Sequence, residues 1–302
     1  MMEYSSFMVP WNAIFGLFSG SALVAMAALG FLLIISRAKL STIDPHCTNT
    51  TFWTSLVITG ICSIILVLIL QVVANFAFNI AFGGGAYTRG TVHLARSLEH
   101  SKGGLAILVL TILIGGGYAF SFADVSFPVH LVSCTIGIGI LEESAKCLAA
   151  LVVFAGFYLQ RGVRLSLTPF VIAGLGFGGG EALHYFGTYN MIESGLSTYI
   201  IRAWWCVPLH AAWAVIAGER IVRRFNGIPD IARLKGEDYV TLFRCLLPSI
   251  VLHGVYDAFC FHEIFLSWVV GIASIIWAFA ILSRQTAQTS VTARRRKAKA
   301  RE

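Results

Sequence analysis

The chain has 302 residues, of which 57% are apolar and only 12% charged, and its mean hydropathy is +0.78. A soluble domain carries roughly twice that share of charge, so composition excludes a water-soluble enzyme and indicates an all-α, polytopic bundle in a lipid bilayer. The net charge of +7 comes largely from the end of the chain, Arg294, Arg295, Arg296, Lys297, Lys299 and Arg301; a basic tail beside a membrane marks its cytoplasmic face rather than a nucleic-acid partner.

A span needs about 20 apolar residues. Eight stretches qualify along the chain, at 11–36, 53–80, 104–124, 129–158, 168–187, 200–222, 240–262 and 264–283. The first has no basic residue before it and exceeds a signal-peptide core of roughly 7–15 residues, so it reads as a retained span. The last two are separated only by His262 and Glu263, which implies a tight helical hairpin or one re-entrant segment. With both termini cytoplasmic and strict alternation, Arg89, Arg96, Lys102, Arg161, Arg164, Arg223, Arg224, Arg233 and Lys235 fall inside. Arg37, Lys39 and Asp44 fall outside, and the loop at 188–199 has no Lys or Arg. That asymmetry follows the positive-inside bias.

The seven cysteines, Cys47, Cys62, Cys134, Cys147, Cys206, Cys245 and Cys260, form no C-x-x-C pair; they read as small core residues, not as a zinc ribbon or disulfide framework. Gly-Gly-Gly recurs at 83–85, 115–117 and 178–180 with different flanks. Close helix packing or bends explain it better than a repeat.

Ionisable residues inside apolar stretches cost several kcal/mol and need partners. The fourth stretch contains Glu142, Glu143 and Lys146. Glu142 and Lys146 share a helix face, and Glu143 is three residues from the same lysine. Two adjacent acids in low dielectric do not both stay ionised without a cation, so the group is either a packing lock or part of a proton or metal site. The fifth stretch places Phe177 and Glu181 on one face after three glycines, with His184 nearer the span end as an interfacial residue. In the sixth, Pro208 loosens the helix just before His210, and Ala211, Ala214 and Gly218 form a small-residue stripe. In the seventh, His253 and Asp257 are four apart and project together, an arrangement that fixes an imidazole tautomer. Counted at about 1.5 Å per residue, Glu142, Glu181, His210 and His253 lie at similar depth, which points to one site.

Carboxylates with two histidines can bind a zinc ion and leave a position for water, while a further carboxylate serves as general base. His262-Glu263 begins the familiar H-E-x-x-H zinc pattern, but position 266 is Leu. No G-x-S-x-G elbow or phosphate loop is present.

Four motifs occur in order on successive stretches: Glu142-Glu143-x-x-Lys146, Phe177-x-x-x-Glu181, His210-x7-Gly218 and His253-x-x-x-Asp257. Over about 140–260 the chain resembles the PrsW family of intramembrane proteases, which is related to the type II CAAX prenyl endopeptidases and the Abi/CPBP proteins. The resemblance implies intramembrane peptide hydrolysis, with Glu142, Glu143, Glu181, His210 and His253 as the essential set. Lys146, Asp257, Phe177 and Gly218 support it. The CAAX relatives usually have His in place of Glu181 and Asn in place of Asp257, so processing of prenylated proteins fits less well. The implied substrate is a membrane-anchored protein of the anti-sigma factor kind, in the cytoplasmic membrane of a bacterium. Two mechanisms stand. In one, zinc is held by His210, His253 and a carboxylate, Glu181, with Glu142 or Glu143 as base. In the other, glutamate and histidine activate water without metal, and His253 and Asp257 stabilise the oxyanion. Glu142 is the expected base in both. The expected organisation is one integral membrane domain over 1–302, with a four-helix catalytic core at 129–262 and a basic cytoplasmic tail at 284–302.

Two other functions use the same residues. A proton- or ion-coupled transporter also buries Glu, His and Asp, although these residues lie only after position 140 and do not form two equivalent halves. A non-catalytic membrane scaffold is the other, and the intact motifs argue against it.

Overall fold

The computed structural model describes residues 20–44, 46–82, 104–158, 165–188 and 200–299. Every regular element among them is helical: α1 (Gly20–Ile43), α2 (Asn49–Phe82), α3 (Gly104–Phe120), α4 (Phe127–Ser133), α5 (Ile140–Val153), α6 (Thr168–Thr188), α7 (Val207–Phe225), α8 (Gly236–His262) and α9 (Ile264–Lys299). Wider π-helical turns join α4 to α5 at Cys134–Gly139, extend α5 at Phe154–Tyr158, and precede α7 at Arg202–Cys206. The last lies where Pro208 cannot donate to the preceding turn and its ring crowds the carbonyl four residues back; a wider turn relieves both. At the far end of α7, Asn226 takes the left-handed conformation (φ 52°) that ends helices, with Arg223 and Arg224 in the last turn.

Three of the described helices are long and apolar enough to cross a bilayer on their own: α2 over Asn49–Ile69, α8, and α9 over Ile264–Gln285. The others lie on the remaining expected stretches but are shorter or carry charge, as in α3 with 17 residues and α5 with 14 that include Glu142, Glu143 and Lys146. The α8–α9 junction is a hairpin with Glu263 as its one linking residue, and the two helices pack together.

The centre of the bundle is the α6–α7 crossing. A Cβ on Gly174 would lie 2.5 Å from the His210 carbonyl oxygen, and one on Gly178 would lie 2.9 Å from His210 Cδ2. The glycines thus let the two backbones touch, as dispersion-driven packing in lipid favours. Gly218 serves the same crossing two turns away, where a Cβ would run into the Phe170 ring. On the other side of the core, Gly117 of α3 meets Gly137, and Gly139 meets the Ile250 backbone of α8. In the glycine run at 115–117, Gly117 is therefore the packing position; the run at 83–85 lies outside the described residues.

The direction of α2 corrects the expected topology. Gly60 packs on Gly176 and Ile64 on Gly180, so α2 and α6 run parallel. The Asp44 carboxylate accepts a hydrogen bond from the Ser166 hydroxyl at 2.7 Å, and the Gln285 amide meets the Leu165 carbonyl. The α1–α2 link, the α5–α6 link and the Gln285 level of α9 therefore share one end of the bundle. Strict alternation of eight spans put Asp44 and the α5–α6 link on opposite faces. The segment that joins α2 to α3, 83–103, lies outside the described residues. In α1, Phe31 packs on Trp204 near the opposite end, while Leu40 and Asp44 lie at the Ser166 end. The Gly20 end of α1 and the Gln285 level of α9 thus lie at opposite ends of the bundle, and residues 1–19 lie outside the described residues. Strict alternation counted each stretch as one crossing, which the parallel α2 and α6 do not follow. In the observed arrangement Arg37 and Lys39 join Arg220, Arg223, Arg224, Arg233, Lys235 and Arg284 at a single basic end. Arg89, Arg96, Lys102, Arg161 and Arg164 are outside the described residues.

Candidate active site

The π-helical turn at Cys134–Gly139 delivers α5 into the bundle with Glu143 and Lys146 facing inward, each 1% exposed. A buried ammonium and carboxylate survive only when paired and hydrogen-bonded, and these two are bonded directly to each other. From there polar contacts run through four helices. Glu143 Oε1 also accepts from His253 Nδ1 at 2.8 Å. Lys146 Nζ lies 3.0 Å from His210 Nδ1, and His210 Nε2 lies 2.7 Å from Glu181 Oε2. An ammonium only donates, so His210 accepts at Nδ1 and carries its proton on Nε2, which donates to Glu181. His253 donates its Nδ1 proton to Glu143, leaving a bare Nε2 that faces Glu142 Oε2 at 3.6 Å and Asp257 Oδ2 at 3.4 Å.

Aromatic rings fix the two imidazoles. Trp213 stacks on His253 with centroids 4.2 Å apart and planes at 20°, and its Nε1–H donates to Ser274 Oγ at 3.1 Å. Phe177 lies 5.0 Å from the His210 ring, and Lys146 sits over both Phe177 and Trp213. The imidazole planes of His210 and His253 stand at 80°, with centroids 5.3 Å apart.

The two imidazoles, Phe177 and Trp213 border one cavity of about 460 Å³. Glu142, Glu181, His210, His253 and Asp257 line it; Glu143 and Lys146 lie behind that lining and hold the histidines from below. Phe122, from the α3–α4 link, and Ile264, after the α8–α9 link, also line it. Those links lie at the end of the bundle opposite the basic one. His130 ties them together there, with Nε2 on the Ser121 carbonyl at 2.7 Å and Nδ1 at 2.9 Å from His262 Nε2.

The model of the PrsW family of intramembrane metalloproteases matches residues 98–283, more than half of the chain. The chain belongs to the PrsW family. It is an intramembrane metalloprotease, embedded in a bilayer and acting on membrane-embedded protein. No curated protein and no solved structure matches it.

The side chains of this PrsW-family protease suit a metal ion. One donor atom each from Glu142, His210 and His253 fall within 4.8 Å of one another. Among the described residues, Glu142 Oε2 and Glu143 Oε2 are buried without a hydrogen-bond partner, and a buried carboxylate oxygen is costly in that state unless a cation or water meets it. The bare Nε2 of His253 points into the site, whereas His210 would offer Nε2 to an ion only after losing the proton that it shares with Glu181. Glu181, expected as the third ligand, stands beside this trio, with Oε1 3.7 Å from Arg202 Nη1. The structure thus brings Glu142, Glu143, Lys146, Phe177, Glu181, His210, His253 and Asp257 together, while Gly218 acts at a distance through packing.

Sequence reasoning missed Trp213 and Arg202. Trp213 is three residues after His210, close to the same helix face, which was a usable signal. Arg202 could have been flagged as a lone cation at the start of an apolar stretch. His184, read as interfacial, is exposed yet lines the outer part of the cavity.

Proposed function

We propose that this PrsW-family protease cuts a membrane-anchored protein, of the anti-sigma factor kind, in the cavity floored by Glu142, Glu181, His210 and His253, with zinc as its metal. The convergence of one carboxylate and two imidazoles within 4.8 Å carries the reading. Zinc accepts that donor set with a position left for water. Bound there, the ion would lower the pKa of that water and polarise the scissile carbonyl.

The protein's own groups divide the remaining work. Glu143 accepts the Nδ1 proton of His253 and so turns its Nε2 lone pair into the cavity, the usual role of a carboxylate behind a ligating histidine. Lys146 ties Glu143 to His210 and sets the distance between the two imidazoles. Glu181 lies beside the trio, 2.7 Å from His210 Nε2; it is the base that takes a proton from the attacking water and returns it to the leaving amine. Arg202, 3.7 Å from Glu181 Oε1, holds that carboxylate toward the cavity. These assignments exchange the expected roles of Glu142 and Glu181.

The basic end of the bundle is read as cytoplasmic, which puts the Phe122 and Ile264 end of the cavity toward the outer side. The eight apolar stretches are read as embedded in the bilayer, with 129–262 as the catalytic core.

Metal content and turnover, measured together on purified protein in detergent with a single-span test substrate, check the assignment. Glu142→Gln is expected to lose both bound zinc and cleavage. Glu181→Gln is expected to keep zinc while turnover falls by roughly 10²–10⁴-fold, the usual contribution of a general base. Zinc lost from Glu181→Gln and kept in Glu142→Gln would restore the original roles, and full activity after exhaustive chelation would remove the metal.

A further inference from the structure

The cavity has a second wall that the proposed chemistry does not use. The π-helical turn at Arg202–Cys206 presents consecutive tryptophans in opposite directions. Trp204 faces outward, 40% exposed, and packs on Phe31 of α1. Trp205 lines the cavity and pairs with Trp268 of α9, with centroids 4.4 Å apart and planes at 38°. The pair is fixed from behind by Gly271, where a Cβ would fall 2.6 Å from the Trp205 ring. Only a glycine leaves room for that ring to lie flat on α9. Tyr256, Phe261 and Leu209 continue the surface, and Leu209 directly precedes His210. The polar groups of the cavity, Glu142, Glu181, Arg202, His210, His253 and Asp257, supply charge and hydrogen bonds on one side. The tryptophan wall offers two large aromatic faces on the other.

A cavity of about 460 Å³ holds more than a water and a peptide group. It is within the size range of clefts that enclose a ligand by apolar contact and orient it with a few polar groups. A peptide bond lying over His210 and His253 places one of its flanking side chains against Trp205 and Trp268. An apolar side chain gains burial there, at roughly 25 cal/mol per Å² removed from water; a carboxylate would lose hydration against the negative faces of the two rings.

We infer that Trp205 and Trp268 form a side-chain subsite that selects substrates with a large apolar residue, aromatic or branched aliphatic, next to the scissile bond. The inference rests on the proteolytic reading above and adds the substrate class. Trp268 sets the depth of the subsite, and Gly271 sets how far Trp205 enters it.

Two variants move the subsite in opposite directions. Trp268→Ala deepens it. Gly271→Ala pushes the Trp205 ring inward and makes it shallower. The full-length protein in detergent is given single-span test substrates in which each position around the cut is changed in turn to Ala, Leu, Phe or Trp, and cut positions and rates are read by mass spectrometry. The wild type is expected to require a large apolar residue at one fixed position and to cut the Ala substrate there at least about tenfold more slowly, as the loss of several methylene groups in an apolar pocket implies. Trp268→Ala is expected to shift preference toward Trp over Leu, and Gly271→Ala toward Leu or Ala over Trp. A general loss of stability would lower all rates together and would not reverse a preference. If Gly271→Ala does not fold, Trp268→Leu, which deepens the subsite less, should give an intermediate shift. Cleavage by both folded variants with the wild-type preference overturns the subsite and leaves the protease reading intact. Cleavage of no substrate by the wild type, indistinguishable from Glu142→Gln, overturns that reading and the subsite with it.

Discussion

At the scale of single residues, the decisive group is Lys146. It is fully buried, bonded to Glu143, 3.0 Å from His210, and covered by the faces of Phe177 and Trp213. Its charge is matched by one carboxylate, and removing either partner strands the other in a low-dielectric interior. Lys146→Ala is expected to destabilise the protein by about 3–5 kcal/mol, seen as a lower melting temperature in detergent. The double variant Lys146→Met, Glu143→Gln should recover much of that stability, because it leaves no unpaired charge. It should not recover activity, since a Gln oxygen can accept from His253 but lacks the charge that raises the basicity of its Nε2, and Met cannot reach His210 with a hydrogen bond. Stability recovery absent in the double variant would show that Lys146 acts through packing alone. This pairing was legible in the sequence, because residues three and four apart on a helix are neighbours. The bond from Lys146 across to His210, 64 residues away, was not, since no local pattern encodes which helices face each other.

At the scale of elements, glycine placement decides where the histidines stand. Gly178 and Gly179 are adjacent on α6 but have different surroundings. A Cβ at 178 would meet His210 Cδ2 and Val207 Cα at 2.9 Å, whereas one at 179 would find nothing within 4 Å. Gly178→Ala is therefore expected to push α7 from α6, displace the His210 ring and lower turnover at least about tenfold, a small misplacement sufficing for that. Gly179→Ala should leave activity near wild type and raise helix stability by up to about 1 kcal/mol. Equal effects at the two positions would refute the assigned crossing. The triple glycine was visible as a signal for close approach, and its position one turn before Glu181 marked it as part of the site. The sequence did not reveal which glycine carries the approach. It likewise gave no sign of the π-helical turn before α5, which arises from tertiary constraints, whereas Pro208 marked the helix before His210 as loosened without fixing the form of the turn.

At the scale of the whole molecule, the bundle has one basic end, and its cavity is lined in part by Phe122 and Ile264 toward the other. The hydrogen bond from Ser166 to Asp44 requires that the α1–α2 and α5–α6 links lie on one side of the membrane. In a background without native cysteines, Ser41→Cys and Ser166→Cys are expected to react alike with a membrane-impermeant maleimide in oriented vesicles. Ser126→Cys, in the α3–α4 link near His130, should react only from the opposite face. Opposite labelling of positions 41 and 166 would restore strict alternation. Loop charges misled here because they report sidedness only after every crossing has been counted correctly.

The buried acids and histidines, their helical spacing and their order along the chain were fixed by the amino-acid sequence alone. So were the membrane environment and the family resemblance, because hydropathy and i, i+4 periodicity are local properties. Tertiary structure decided which carboxylate joins His210 and His253, that Trp213 clamps one imidazole, that Trp205 and Trp268 wall the cavity, and that α2 runs parallel to α6. Each of these depends on glycine-mediated crossings between helices distant in the chain, where a shift of one turn would put a different side chain at the site.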